Sequence, residues 1–374
     1  MTEPLPALVA WESTRACNLA CIHCRAEAQR NPSPGELSTG EAFRLVDQIA
    51  EFARPILIIT GGEPMMRDDT LDVARYAADK GLRVVMSPNG TLLDAKSARA
   101  IKETGVMAIS VSLDGSTPDL HDSFRQVPGC FEGILDGLAY AREAGLPFQV
   151  NTTVNRHNLE DLPGILKLAE SLGAVAWDVF MLVPTGRGKI DDEISPEEYE
   201  GLLEWVYDAA QKASIRVKVT CGPHYQRVWR QKAKEAGEVQ SRREGTTQAK
   251  SDVPVKGGVL GQGHHPGRNR AVRGCMAGDG FCFVSHLGDV YPCGYFPVQA
   301  GSIREEHFRS IYQESDLFRE LRDLDNLKGR CGRCEFRKVC GGCRARAYST
   351  SGDYLAEEPF CIYQPGRSKP APAG

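Results

Sequence analysis

The chain has 374 residues, 41% of them apolar and 25% charged, with a formal net charge of −4. This is the composition of a soluble globule long enough for one large α/β domain and a smaller one, with no general pull toward nucleic acid. No run approaches the roughly 18 apolar residues of a membrane span, and the start MTEPLPALVAWEST lacks the form of a secretory signal, so a cytoplasmic protein is expected.

Residues 8–210 read as alternating strand and helix. Strands are expected at 8–14, 55–60, 82–88, 108–114, 148–154 and 176–182, with a further one at 215–220. Helical patterns fall near 39–52, 69–80, 95–103, 131–144, 160–171 and 196–213, most followed by a glycine that can end the helix. Such a succession predicts a parallel, right-handed α/β sheet with its functional loops beyond the C-terminal strand ends. The stretch 231–273 contains VKGGVLGQGHHPGRNRAVRG and reads as a linker or substrate-covering loop. From 275 onward short strands surround cysteines, with one helix near 305–322, and metal is expected to supply much of the cohesion. The expected division is 1–220, a bridging segment 221–274, and a cysteine domain 275–374.

Thirteen cysteines without a signal sequence point to reduced thiols and metal, not to a disulfide framework. Cys17, Cys21 and Cys24 form CxxxCxxC directly after the first strand. Three thiolates on one loop can hold three irons of a cubane and leave the fourth open for chemistry, whereas a four-thiolate cluster mostly carries electrons. A zinc site is the alternative and needs one more thiolate from elsewhere in the chain.

Three further turns follow strands: TGGEP (60–64), SPNG (87–90) and SLDG (112–115). The glycines Gly61 and Gly62 would let backbone approach a ligand, and Glu63 can accept ammonium protons. Eight cysteines lie beyond residue 274: Cys275, Cys282, Cys293, Cys331, Cys334, Cys340, Cys343 and Cys361. Their spacing alone admits zinc or iron–sulfur clusters. Cys130 and Cys221 read as scattered buried thiols.

CxxxCxxC followed by TGGEP resembles the radical S-adenosylmethionine (SAM) enzymes. That resemblance implies a partial (β/α)6 barrel. It also implies a 4Fe–4S cluster on Cys17, Cys21 and Cys24 whose open iron chelates SAM, and a 5′-deoxyadenosyl radical. It assigns Gly61, Gly62 and Glu63 to the methionine amine, and Ser87, Asn89, Ser112 and Asp114 to the ribose and substrate side. The strand 179–188 would lie against adenine. The C-terminal cysteines, with GxxxxC at 288–293 and CxxCxxxxxCxxC at 331–343, resemble the SPASM extension, which implies two auxiliary 4Fe–4S clusters and three in all. Cys331, Cys334, Cys340 and Cys361 would hold the outer one. Cys275, Cys293 and Cys343 would hold the inner one, with Cys282 as fourth ligand unless it is merely buried in FCFVS.

WESTRACNLACIHCRAEA, TCGPHYQRV and CGGCRARAYSTSGDYLAEEPFCIYQP resemble the heme-synthase branch of these enzymes. The resemblance implies oxidative decarboxylation of two propionates of iron-coproporphyrin III to the vinyls of protoheme. An iron porphyrin substrate and an external low-potential electron donor such as ferredoxin or flavodoxin are its expected partners. His224 and Asp114 are the candidate catalytic residues, with His224 read as an iron-porphyrin ligand, a proton donor or a packing residue. His264 and His265 could ligate iron or sit in solvent, and His23 shapes the cluster's surroundings. Arg227, Arg268, Arg270 and Arg273 are candidate partners of the propionates. The rival expectations are side-chain removal in heme d1 synthesis, ribosomal-peptide maturation, and a non-enzymatic electron-transfer module. The second usually depends on a leader-gripping domain, for which there is no room before Trp11; the third would not need TGGEP.

Overall fold

The structure is a computed structural model that describes residues 3–236 and 273–366. Most of the 231–273 stretch, with His264, His265, Arg268 and Arg270, lies outside the described residues. The chain begins β1 (Leu8–Glu12), α1 (Thr39–Phe52), β2 (Ile56–Thr60), α2 (Thr70–Asp79), β3 (Arg83–Met86), α3 (Ala95–Glu103) and β4 (Ala108–Ser112). It continues α4 (Pro118–Arg125), α5 (Cys130–Glu143), β5 (Phe148–Val154), α6 (Leu162–Leu172), β6 (Ala176–Met181), α7 (Pro196–Ala210), β7 (Arg216–Thr220) and α8 (Tyr225–Glu235). The last quarter holds β8 (Phe281–Val284), β9 (Asp289–Tyr291), β10 (Gly301–Ser302), α9 (Phe308–Glu314), α10 (Asp316–Arg322), α11 (Gly329–Arg333) and α12 (Arg344–Ser351).

Local signals explain these boundaries. Ser38 and Glu41 form a reciprocal cap at α1, Asp94 and Ser97 do so at α3, and Ser195 and Glu198 at α7, where Pro196 opens the helix. The helices between the parallel strands lay apolar stripes on the sheet, as Ala42, Leu45, Val46 and Ile49 of α1 and Leu162, Ile165 and Ala169 of α6 do. Central strands such as β6, AWDVFM, are buried on both faces, which suits a parallel sheet covered by helices. The single helix expected near 305–322 is two, because Ser315 ends α9 and its side chain caps α10. Helix α4 was not expected. It starts on Pro118 after the SLDG turn.

All ten strands form one sheet in the order β10-β9-β8-β1-β2-β3-β4-β5-β6-β7. Neighbours from β1 to β7 run parallel. The C-terminal strands continue this sheet: β8 pairs parallel with β1, Val9 opposite Cys282, and β9 and β10 follow antiparallel. Among the described residues no helix is long and apolar enough to cross a membrane.

Two buried ionic contacts tie the last quarter to the rest. Glu12, at the end of β1, accepts hydrogen bonds from Arg25 (2.7 Å) and from the His286 ring (2.8 Å). Burial would raise its pKa, but Arg25 and His286 overcome this and hold the carboxyl at about 2. Arg346 of α12 is 1% exposed and reaches Leu182 O (2.7 Å), Glu193 (3.3 Å), Glu358 (3.3 Å) and Cys221 O (3.4 Å).

Arg346→Ala should destabilise the apo protein by about 3–5 kcal/mol in urea unfolding, since it strands buried carboxylates; a loss below about 1 kcal/mol would mean that the domain is anchored elsewhere. Because the folded pKa of Glu12 is depressed, its stabilisation is present above the ordinary carboxyl value and is lost as pH falls toward about 2. Glu12→Gln should therefore cost about 3 kcal/mol near pH 7 and progressively less between pH 4.5 and 2, read from urea midpoints across that range.

Candidate functional site

The chain leaves β1 into a long loop, 13–38, that carries Cys17, Cys21 and Cys24 beyond the C-terminal end of the sheet. The loop is closed on itself where the Cys17 N–H donates to Gln29 O (2.7 Å) and the Gln29 N–H to Arg15 O (3.0 Å). TGGEP clamps it from the next strand. The Gly62 and Glu63 N–H groups donate to Thr14 O and Ala16 O, both at 2.7 Å. A Cβ on Gly61 would sit 2.5 Å from Thr14 O, and one on Gly62 2.4 Å from Ala16 O. The close approach these glycines permit is thus to the backbone of the cysteine loop. A second clamp comes from beyond β6: Arg187 donates to Cys21 O (2.8 Å) and Ala28 O (2.9 Å), and a Cβ on Gly186 would meet Cys24 O and Arg25 O. The 179–188 segment, expected against adenine, therefore packs on the cysteine loop at its end.

Glu63 is fully buried and accepts from the backbone N–H groups of Met65 (2.8 Å) and Asn89 (2.5 Å). Burial outweighs those donors and pushes its carboxyl up to about 7. Asn89 also donates to Asn18 (2.7 Å) and lies 3.9 Å from Cys17 Sγ, so SPNG is joined to the loop. Ser87 shares a hydrogen bond with Ser110 (2.7 Å), and Ser112 closes β4.

Asp114 is buried and engaged. It accepts from Thr153 N–H (2.7 Å) and from Arg125, and His23 Nε2 stands 3.5 Å away. Burial alone would raise its pKa; Arg125 reverses this and lowers it. The other arm of Arg125 donates to Cys21 Sγ at 3.4 Å. Each thiol of the triplet thus has one N–H donor at 3.4 Å: Leu19 for Cys17, Arg125 for Cys21 and Ala28 for Cys24.

At the other end, Cys331, Cys334, Cys340 and Cys361 line one cleft with His224 and Arg227, enclosing about 430 Å³ that includes open solvent. Gly342 N–H donates to Cys340 Sγ and Glu358 N–H to Cys331 Sγ, both at 3.4 Å. Cys343 and Cys293 pack in a separate buried cluster, and Cys343 and Cys275 are the thiols whose charge reaches Cys293. Cys282, expected as the fourth member, is set apart from them. It lies in β8 opposite Val9, fully buried in the main apolar core, because the alternation of FCFV turns it inward. His224 is 1% exposed, edge-on to Tyr199, and its Nε2 is 3.8 Å from Glu358; burial lowers its pKa to about 4. It is therefore neutral and beside the outer cysteines.

These residues fit iron–sulfur clusters. Burial pushes the thiols of Cys17 and Cys361 up to about 11 and that of Cys343 to about 12. Thiols so placed ionise only beside a cation, and the N–H donors aimed at their sulfurs favour the thiolate. Among the described residues no three His, Cys, Asp or Glu side chains converge on a single ion.

Sequence reasoning missed Arg125 and Arg187. Arg125 sits in the unexpected helix α4, and nothing local in the sequence pairs it with Cys21. Arg187 lies in GRG after a strand, where the two flanking glycines were the available signal.

Residues 11–169 match the Radical SAM superfamily, and residues 275–343 match the SPASM iron–sulfur cluster-binding domain. The chain is 48% identical over 362 residues to an AdoMet-dependent heme synthase of Methanosarcina barkeri, covering 97% of this chain and 98% of that protein. It is 49% identical over 370 residues to an AdoMet-dependent heme synthase of Nitratidesulfovibrio vulgaris, covering 98% and 95%. Streptococcus suis SuiB bound to S-adenosylmethionine has the same fold at a TM-score of 0.72 and 15% identity, covering 96% of this chain and 78% of that one.

Arg125→Lys keeps a cation opposite Asp114 but cannot also reach Cys21. It should lower the reduction potential of a cluster on Cys17, Cys21 and Cys24 by up to roughly 90 mV, the one-electron equivalent of about 2 kcal/mol for a charge-assisted hydrogen bond. A redox titration followed by electron paramagnetic resonance reads this directly; an unchanged potential would show that the contact does not tune the cluster.

Proposed function

Because the chain belongs to the radical SAM enzymes, in the branch of the AdoMet-dependent heme synthases, we propose that it decarboxylates two propionates of iron-coproporphyrin III to give protoheme. The enzyme works in heme biosynthesis and uses 4Fe–4S clusters and S-adenosylmethionine. The observation that carries the substrate and reaction is identity near one half along almost the full length of both heme synthases.

Cys17, Cys21 and Cys24 would hold the cluster that, with S-adenosylmethionine, would supply a carbon radical able to take a β-hydrogen from a propionate, whose loss of CO₂ and one electron would leave a vinyl. The chain's own residues do the holding. Glu63 would accept the ammonium of S-adenosylmethionine, and Asn89 couples that carboxyl to the cysteine loop. Gly61 and Gly62 keep TGGEP in contact with the loop, and Ser87 and Ser112 belong to the ribose side. Asp114 acts by fixing Arg125 on Cys21. His224, neutral beside the outer cysteines, is assigned to that cluster's surroundings. Clusters held by the C-terminal cysteines would supply an acceptor for the released electron, and an external low-potential donor would supply the electron that begins each cycle.

Anaerobic incubation with iron-coproporphyrin III, S-adenosylmethionine and dithionite should yield protoheme and two CO₂ per porphyrin, measured by chromatography and gas release. Cleavage of S-adenosylmethionine with the porphyrin left intact would assign the site to another substrate.

A further inference from the structure

Three thiols, Cys275, Cys293 and Cys343, leave an inner cluster one ligand short once Cys282 is placed in the core. We propose that Cys221 is the fourth ligand, so that eleven cysteines hold three clusters and Cys130 and Cys282 hold none. The proposal rests on the cluster-binding reading above and specifies one of its sites.

Cys221 follows β7, at the edge of the sheet, and, where the main core meets the smaller apolar cluster of Cys343, packs with Cys293 against that cluster. Its backbone is left-handed at φ 59°, a region that residues with a Cβ seldom occupy and that persists where surrounding contacts over-determine it. Those contacts are visible. The Cys221 carbonyl accepts from Tyr199 Oη (3.0 Å) and from Arg346 (3.4 Å). Arg346 belongs to the helix that Cys343 caps, so one guanidinium fixes Cys221 to the element carrying a second ligand. Cys343, Cys293 and Cys275 are the thiols whose charge reaches Cys221, while no cysteine appears among the charges acting on Cys282.

The four sulfurs come from four separate segments: the end of β7, the approach to β8, the turn after β9, and the start of α12. A site assembled in this way constrains the domain junction as well as the cluster. Three residues on, His224 lines the outer cleft, so the short run CGPH spans both auxiliary sites.

The test compares iron and sulfide content and the spectrum of the dithionite-reduced protein for wild type, Cys221→Ala, Cys221→Ser and Cys282→Ala, all reconstituted anaerobically. Wild type should hold about twelve irons. Each Cys221 variant should either lose about a third of them or keep that cluster with an altered iron, so that one reduced-cluster signal is lost or shifted, while Cys282→Ala keeps all the iron and every signal unchanged. Full iron with an unchanged reduced-cluster spectrum in both Cys221 variants, or the same loss or shift in Cys282→Ala, overturns the proposal. Circular dichroism, and the outer-cluster signal removed by Cys331→Ala, show whether each variant is folded; Cys221→Ser nearly preserves the volume if the alanine variant is not. Wild type with about eight irons that still cleaves S-adenosylmethionine would overturn the inner-site assignment and leave the radical SAM reading intact. Loss of cleavage and of the cluster held by Cys17 would instead strike that reading.

Discussion

Thiolate charge must be held in a dry interior, and arginines meet that requirement at every cysteine set. Arg125 donates to Cys21, and Arg344 stands 3.8 Å from Cys331 Sγ. Arg227 lies beside Cys361 and Cys340, and Arg346 beside Cys343. Guanidinium suits this task because it stays charged when buried and can divide its donors between partners. Each of these arginines does divide them. Arg125 also holds Asp114, Arg227 holds Glu200, and Arg346 holds Glu193 and Glu358. Asp114, Glu193 and Glu200 belong to the part of the chain that builds the parallel sheet, so the arginines beside the cysteines also tie them to that scaffold, while Glu358 belongs to the cysteine domain itself. A net charge of −4 gives no hint of this local arrangement.

Much of the scaffold was legible in the sequence because its signals are local. Strand-and-helix alternation placed the seven parallel strands within a few residues, and the serine caps set the helix starts. CxxxCxxC was legible for the same reason, as a property of one loop, although its spacing left zinc open and the cluster type came from the resemblance to the radical SAM enzymes. What escaped depends on distance along the chain. FCFV reads as an apolar strand, but only its pairing with β1 puts Cys282 in the core. Cys221 reads as an isolated thiol, because its neighbours Cys275, Cys293 and Cys343 lie in other segments. The glycines of TGGEP were recognised as points of close approach, but what they approach is backbone two to four residues past β1. Asp114 was a candidate for catalysis, and His224 for iron ligation, proton donation or packing. That Asp114 is held by Arg125 and the Thr153 N–H, and that His224 is buried against Tyr199 near Glu358, is written in neither SLDG nor CGPH.

The pairing of β1 with β8 has a consequence for how the molecule is made. β1 emerges first from the ribosome, and β8 only after the whole run from α1 to α8 and the segment beyond it. Parallel pairing across such a separation is slow, and until it forms the apolar edge of LVAWE is open to other chains. The loop carrying Cys17, Cys21 and Cys24 waits with it, since Leu37 donates to His286 O and Arg25 to Gly294 O, both beyond β8. A loop made long before β8 reaches its final shape only with it, so iron can be locked into that loop only after the chain has been made as far as Gly294.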